Sequence, residues 1–250
     1  MAELFTQESR GLYLSEKITY IFFSFFFLII FYSSCKKEEY IPQSLSDGKY
    51  FPMKLGSWII YEVDSVFYDD FYEPTKIDTI YYHIKEVVAD TFRDLTGNQT
   101  YRIERFRRAD TSESWVLYNV WTVNKFERLV ERTEQNLRYI KMVFPIDEFK
   151  TWKGNSYINA TGNIDYMDGW DYVYSEIHKK DTVNNLVFDS TVFIIQKDDV
   201  SLIRKDYFVE QYAKGVGMIY KEASHLSKQN INEEWQSGYY IKYQILDFKN

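Results

Sequence analysis

The sequence predicts a mainly β fold: a single antiparallel β domain over residues 51–250, with a strongly curved sheet that is either barrel-like or a sandwich. Three observations predict it. Apolar and polar residues alternate with period 2 in runs bounded by Asp, Asn and Gly. Only 4 prolines interrupt the 250 residues, whereas 23 tyrosines, 19 phenylalanines and 6 tryptophans supply side chains that suit a pleated surface. Several runs are apolar on both faces, which a flat one-sided sheet cannot cover.

Taken in order, "SWIIYEVDSVFY" (57–68), "KIDTIYYHIKEVVADTF" (76–92), "QTYRIERFRR" (99–108) and "SWVLYNVWTVN" (114–124) read as successive strands. "KFERLVERT" (125–133) and "NLRYIKMVF" (136–144) follow after short polar turns. After Pro145 the chain becomes rich in Gly, Asn and Asp, as expected of a long excursion holding at most one short strand. Strands resume with "DYVYSEIHKK" (171–180), "STVFIIQKDD" (190–199), "LIRKDYFVEQYA" (202–213), "VGMIYKEASHL" (216–226) and "GYYIKYQILDF" (238–248). The one stretch that also admits helical periodicity is Tyr207 to Ala213. Along 115–123, Trp115, Leu117, Trp121 and Val123 fall on one side and Val116, Tyr118 and Val120 on the other, so both sides are expected to be covered.

A composition of 45% hydrophobic and 27% charged residues is that of a globular chain. The formal charge is −7, or −6 without residues 1–34. Scattered lysines on an acidic domain exclude nucleic acid as an expected partner, because phosphate binding needs a clustered basic face. A transmembrane barrel fits poorly, since a strand such as 99–108 carries Arg102, Glu104, Arg105, Arg107 and Arg108 on both faces.

The N-terminal segment has a different texture. Arg10 and Lys17 precede an apolar stretch from Ile18 to Tyr32, followed by Ser33, Ser34 and Cys35, the only cysteine. A bilayer core asks for about 20 predominantly apolar residues, and this stretch is shorter, with Thr19 and Ser24 inside it. Lys36, Lys37, Glu38 and Glu39 follow Cys35 at once and argue against burying that thiol in a core.

The pattern "YSSC" resembles the lipobox of a bacterial lipoprotein signal peptide, with Tyr32 where an aliphatic residue is usual. That resemblance implies lipidation at Cys35 and a membrane partner through the lipid anchor. "KKEE" (36–39) resembles the surface-export signal of Bacteroidota lipoproteins. It implies an outer-membrane protein displayed at the cell surface, with a periplasm-facing position as the alternative. The segments "YFPMKLGSWIIYEVDSVFYDDF", "YRIERFRR", "WKGNSYIN" and "YAKGVGMIYKE" are similar to landmarks of a group of Bacteroidota lipoproteins that has no established activity to carry over. The expected organisation is a signal peptide at 1–34, a lipidated N-terminus and flexible tether at 35–50, and the β domain at 51–250.

Chemistry is sparse in the pattern. His83, His178 and His225 lie far apart, without metal-ligand or triad spacing, so each reads as a strand residue. In "NIDYMDGWDY", Asn163, Asp165, Asp168 and Asp171 could offer oxygens to Ca²⁺, but the spacing is wrong for an EF-hand and an acidic turn is expected. Trp170 in that loop could stack on a sugar or cap the core. Gly215 and Gly217 read as a strand-to-strand turn rather than a phosphate loop, because no helix follows. Four tripeptides beginning at Asp64, Asp78, Asp181 and Asp189 resemble an O-glycosylation sequon, with a turn-to-strand junction as the plain reading. No metal, cofactor or catalytic residue is expected. A binding or structural module of the envelope, with a glycan or protein as possible ligand, is expected ahead of a carboxylate-dependent hydrolase acting on glycans.

Overall fold

Two tight turns show how local sequence sets this architecture. Gln135 and Asn136 adopt φ of 49° and 66°, and Asn184 and Asn185 adopt 50° and 67°, the left-handed pair that a two-residue hairpin with the native strand twist requires. The computed structural model describes residues 43–250. A short helix α1 (Gln43–Asp47) and a 3₁₀ turn (Gly48–Tyr50) come first. Twelve strands follow: β1 (Trp58–Asp69), β2 (Lys76–Arg93), β3 (Gln99–Arg108), β4 (Val116–Lys125), β5 (Leu129–Glu134), β6 (Leu137–Val143), β7 (Thr151–Lys153), β8 (Asp171–Val183), β9 (Leu186–Val200), β10 (Arg204–Ala213), β11 (Gly217–Ser227) and β12 (Ser237–Lys249).

All twelve form one antiparallel sheet in the order β6-β5-β4-β3-β2-β1-β12-β11-β10-β9-β8-β7, curled into a nearly closed barrel. Each strand pairs with its sequence neighbour, and β12 returns to β1 over the register Trp58↔Lys249 to Tyr68↔Gly238. The seam lies between β6 and β7. There the Ile140 N–H donates to the Gly154 carbonyl (2.8 Å), and Trp152 Nε1 donates to the Ile140 carbonyl (2.8 Å). Tyr174 on β8 reaches across as well: its hydroxyl accepts from the Val143 N–H (3.0 Å) and donates to the Val143 carbonyl (2.8 Å).

The core is the barrel interior. Tyr61 and Val63 of β1, Ile84 and Val88 of β2, Ile103 of β3, Trp121 and Val123 of β4, Tyr172 and Tyr174 of β8, Ile194 of β9 and Ile245 of β12 are all buried there. The outward side chains of the central strands include Glu62, Asp64, Lys85, Arg102, Glu104, Glu222 and Lys242. A Lys242–Asp64 ion pair (2.7 Å) lies on that face, which therefore suits water.

The expectation of cover on both faces of 115–123 is corrected. A bulge sets Asn119 opposite Arg105 but Leu117 opposite Phe106, which skips Tyr118 and reverses the alternation. Trp121 and Val123 are buried, while Val116, Leu117, Tyr118 and Val120 are 47–67% exposed. The helical option at Tyr207–Ala213 also gives way, since these residues form the end of β10. The neighbouring bulges place their extra residues on its partners, Gln196 on β9 and Ile219 on β11, so β10 keeps its own period of 2.

The segment 47–53 straps one end of the barrel, called here the near end. Lys125 Nζ donates to the carbonyls of Gly48 (2.6 Å) and Phe51 (2.8 Å), the Gly215 N–H donates to Lys49 O (2.8 Å), and Asp47 accepts from the Ile146 N–H (2.8 Å). At the far end the excursion between β7 and β8 packs Tyr166 and Trp170 on Phe208 and His225.

Candidate functional site

Alternation on β5 turns Val130, Arg132 and Glu134 toward one side, and on β10 it turns Phe208, Glu210 and Tyr212 inward. Lys141 of β6 and Lys221 of β11 complete a belt of charge inside the barrel. Lys141 Nζ lies 2.6 Å from Glu210 Oε1 and 3.3 Å from Glu134 Oε1. Lys221 Nζ lies 3.4 Å from Glu210 and 3.7 Å from Glu134, and Arg132 Nη2 lies 2.6 Å from Glu134 and 3.6 Å from Glu210. Three cations thus face two carboxylates in a nearly dry space. Beside them Arg105 donates from Nε to Glu86 (2.8 Å), and the guanidinium groups of Arg105 and Arg132 lie 3.6 Å and 4.9 Å from the centre of the Trp121 ring.

Burial disfavours charge on every member, and the mutual attractions answer it unequally. Burial would raise the Glu210 carboxyl, but Lys141, Lys221 and Arg132 outweigh it and bring the pKa down to about 2. Glu134 is likewise held well below the usual carboxylate range by Arg132, Lys141 and Lys221, against the opposing effect of burial. Burial prevails at Lys141, whose ammonium is lowered despite both glutamates. At Lys221 burial would lower the ammonium, but the same glutamates raise it.

Toward the near end the belt borders a cavity of about 60 Å³. Val88, Ile103, Val123, Val216 and Met218 give it apolar walls, Phe51, Pro52 and Met53 of the strap roof it, and Met53, Ser57 and Asn250 at its rim keep some exposure to solvent. Its polar lining comes from Glu86, Arg132, Tyr61 and Tyr212. Three of these are already engaged: Glu86 accepts from Arg105, the Tyr61 hydroxyl donates to Met218 O (3.0 Å), and the Tyr212 hydroxyl donates to Glu210 (2.7 Å). Arg132 differs. Its Nε donates to Glu134 Oε1 (2.7 Å), and its buried Nη2 lies 2.6 Å from the same oxygen without the alignment of a hydrogen bond, so one carboxylate oxygen serves two guanidinium nitrogens.

The far end carries a second polar cluster with its bonds filled. Asp206, fully buried, accepts from Arg204 Nε (2.5 Å) and lies 2.5 Å from His225 Nδ1. The imidazole of His225 stacks on Tyr166 at 4.0 Å, and the hydroxyls of Tyr166 and Tyr239 lie 3.0 Å apart.

Cys35 and the segment Lys36, Lys37, Glu38 and Glu39 lie outside the described residues. All three histidines are strand residues, on β2, β8 and β11. In the acidic loop Asp165 and Asp168 are exposed and Asp171 pairs with Lys153 (2.8 Å). No group of three or more His, Cys, Asp or Glu is placed to hold a metal among the described residues. Trp170 is 3% exposed and caps the core on Phe208. Of the four Asp-Ser/Thr tripeptides, the one at Asp64 lies in the middle of β1 with Ser65 buried, and those at Asp78, Asp181 and Asp189 lie within four residues of a strand end next to a turn. Sequence reasoning missed Arg132, Glu134, Lys141, Glu210 and Lys221, and no local pattern marks them: Arg132 lies between Glu131 and Thr133, and Lys221 is followed by Glu222, as on a solvated strand face.

Compared with protein-family models, with curated proteins and with solved structures, the chain shows no match.

Proposed function

We propose that this chain is a lipid-anchored envelope protein whose barrel binds a small ligand in the near-end cavity, with Cys35 as the lipidated residue and Lys36–Glu39 as a surface-export segment. The observation that carries the binding reading is the cavity itself: apolar walls, a rim that reaches solvent, and in its wall the guanidinium of Arg132, a member of a buried cluster with three cations and two carboxylates. The anchor and the outer-membrane position rest on the residues around Cys35. Binding is favoured over a carboxylate-dependent hydrolase because Glu134 and Glu210 are both held ionised, so neither stands ready as the acid of an acid–base pair.

The test is native mass spectrometry of the protein purified from its own envelope. Wild type is expected to carry a small molecule in near-stoichiometric amount, and Met53→Trp, which fills the rim without touching the charges, is expected to lose it. Equal loading of the two proteins, or none in either, overturns the reading.

A further inference from the structure

We infer that the ligand of the near-end cavity is an aliphatic carboxylate, bound head-inward with its carboxylate on Arg132 and its chain leading out beneath Phe51 and Met53. The inference rests on the binding role proposed for this cavity and adds the chemistry of what is bound. Three features lead to it. The charged belt holds Arg132, Lys141 and Lys221 against only Glu134 and Glu210, so the buried cluster lacks one negative charge. Uncompensated charge away from water is costly, and an anion supplied by a ligand removes that cost.

Arg132 is the one cation of the belt that lines the cavity, and a guanidinium stays charged at any physiological pH. Its Nη2 has only a poorly aligned contact, 2.6 Å from the Glu134 oxygen that Nε already uses, and a carboxylate is the group that a guanidinium fork fits best. Glu86, the one acidic side chain among the described residues of the cavity wall, is committed to Arg105 at 2.8 Å and its charge is answered there.

Size and polarity select the rest. About 60 Å³ equals the share of about two water molecules in the liquid, room for a carboxylate and its first carbons. The walls beyond Arg132 are Val88, Ile103, Val123 and Met218, which offer a sugar hydroxyl nothing to bond but suit methylenes. A longer chain continues past the roof toward Met53 and Asn250 at the exposed rim.

The test is a methyl-NMR titration of the purified protein, observing Val88, Ile103 and Val123, with octanoate and octan-1-ol as the two probes. Octanoate is expected to shift these methyl groups saturably and to bind at least tenfold more tightly than the alcohol. Arg132→Gln is expected to bring the two probes to equal affinity. Should that variant fail to fold, the wild-type ratio decides by itself. Equal binding of acid and alcohol overturns the carboxylate inference while leaving the cavity a ligand site. Failure of both probes to shift the methyl groups overturns the carboxylate inference together with the binding role.

Discussion

Lys141 Nζ lies 2.6 Å from Glu210 Oε1 with both side chains shut away from solvent, which joins β6 to β10 through the barrel interior. The contact is structural as well as electrostatic, because β6 is the strand at the seam and has sheet hydrogen bonds on one side only. Replacing Glu210 by Gln leaves three cations around a single carboxylate. Breaking one partner out of a buried ion cluster costs about 3–5 kcal/mol. Urea unfolding should show a loss of that size, against at most about 1 kcal/mol for Lys153→Ala, whose contact with Asp171 lies at the surface. Comparable losses in the two variants would show that the belt adds nothing beyond a surface pair.

Acid titration addresses the same belt. The Glu210 carboxyl is brought from 4.5 down to about 2 in the folded protein, so its contribution is complete above the ordinary carboxylate range and is lost as pH falls through about 2. The difference corresponds to about 3 kcal/mol. Stability measured by urea unfolding should fall as pH drops from about 5 to about 2, and Glu210→Gln should flatten part of that slope. An unchanged slope in the variant would place the acid sensitivity elsewhere.

Gly154 offers a test of the seam that leaves the charges alone. A Cβ at this position would meet the Tyr172 ring at 2.4 Å, and the ring is fully buried with its hydroxyl held by Asn155 (2.8 Å). Gly154→Ala should cost about 1–3 kcal/mol through overpacking. The loss should be local at first: the Ile140 amide, which donates to Gly154 O, should exchange with deuterium much faster than in wild type. Unchanged protection at Ile140 would mean that the seam is held by other contacts.

The strands were legible because half-buried sheet writes itself as alternation, and the 57–68 and 76–92 runs map onto β1 and β2 within two residues. Alternation is reset where bulges occur, at Tyr118 on β4, Gln196 on β9 and Ile219 on β11, because one extra residue exchanges the two faces without changing composition. The belt was harder to see for a different reason. Lys141 and Glu210 are 69 residues apart and meet only because the sheet curls, and a charge on a strand reads as solvent-facing until its partner is known. Cavity and roof depend on the strap of 48–53 crossing the near end, which no periodicity announces.

The lipid anchor is tested by fractionation. Cys35→Ala should abolish acyl labelling and move the protein out of the membrane fraction, whereas replacing Lys36 to Glu39 by alanines should leave acylation intact and remove cleavage by protease added to intact cells. Labelling that survives Cys35→Ala would sink the lipoprotein reading. Wild-type protein that is cleaved only after the outer membrane is opened would place it on the periplasmic side.

The most direct test of the binding role is a crystal structure of the protein purified from its own envelope, without added ligand. The proposal predicts electron density unexplained by protein in the near-end cavity, touching Arg132 and bounded by Val88, Ile103, Val123 and Met218. A cavity closed by Phe51 and Met53, or a ligand found instead against Tyr166 and His225 at the far end, would contradict it.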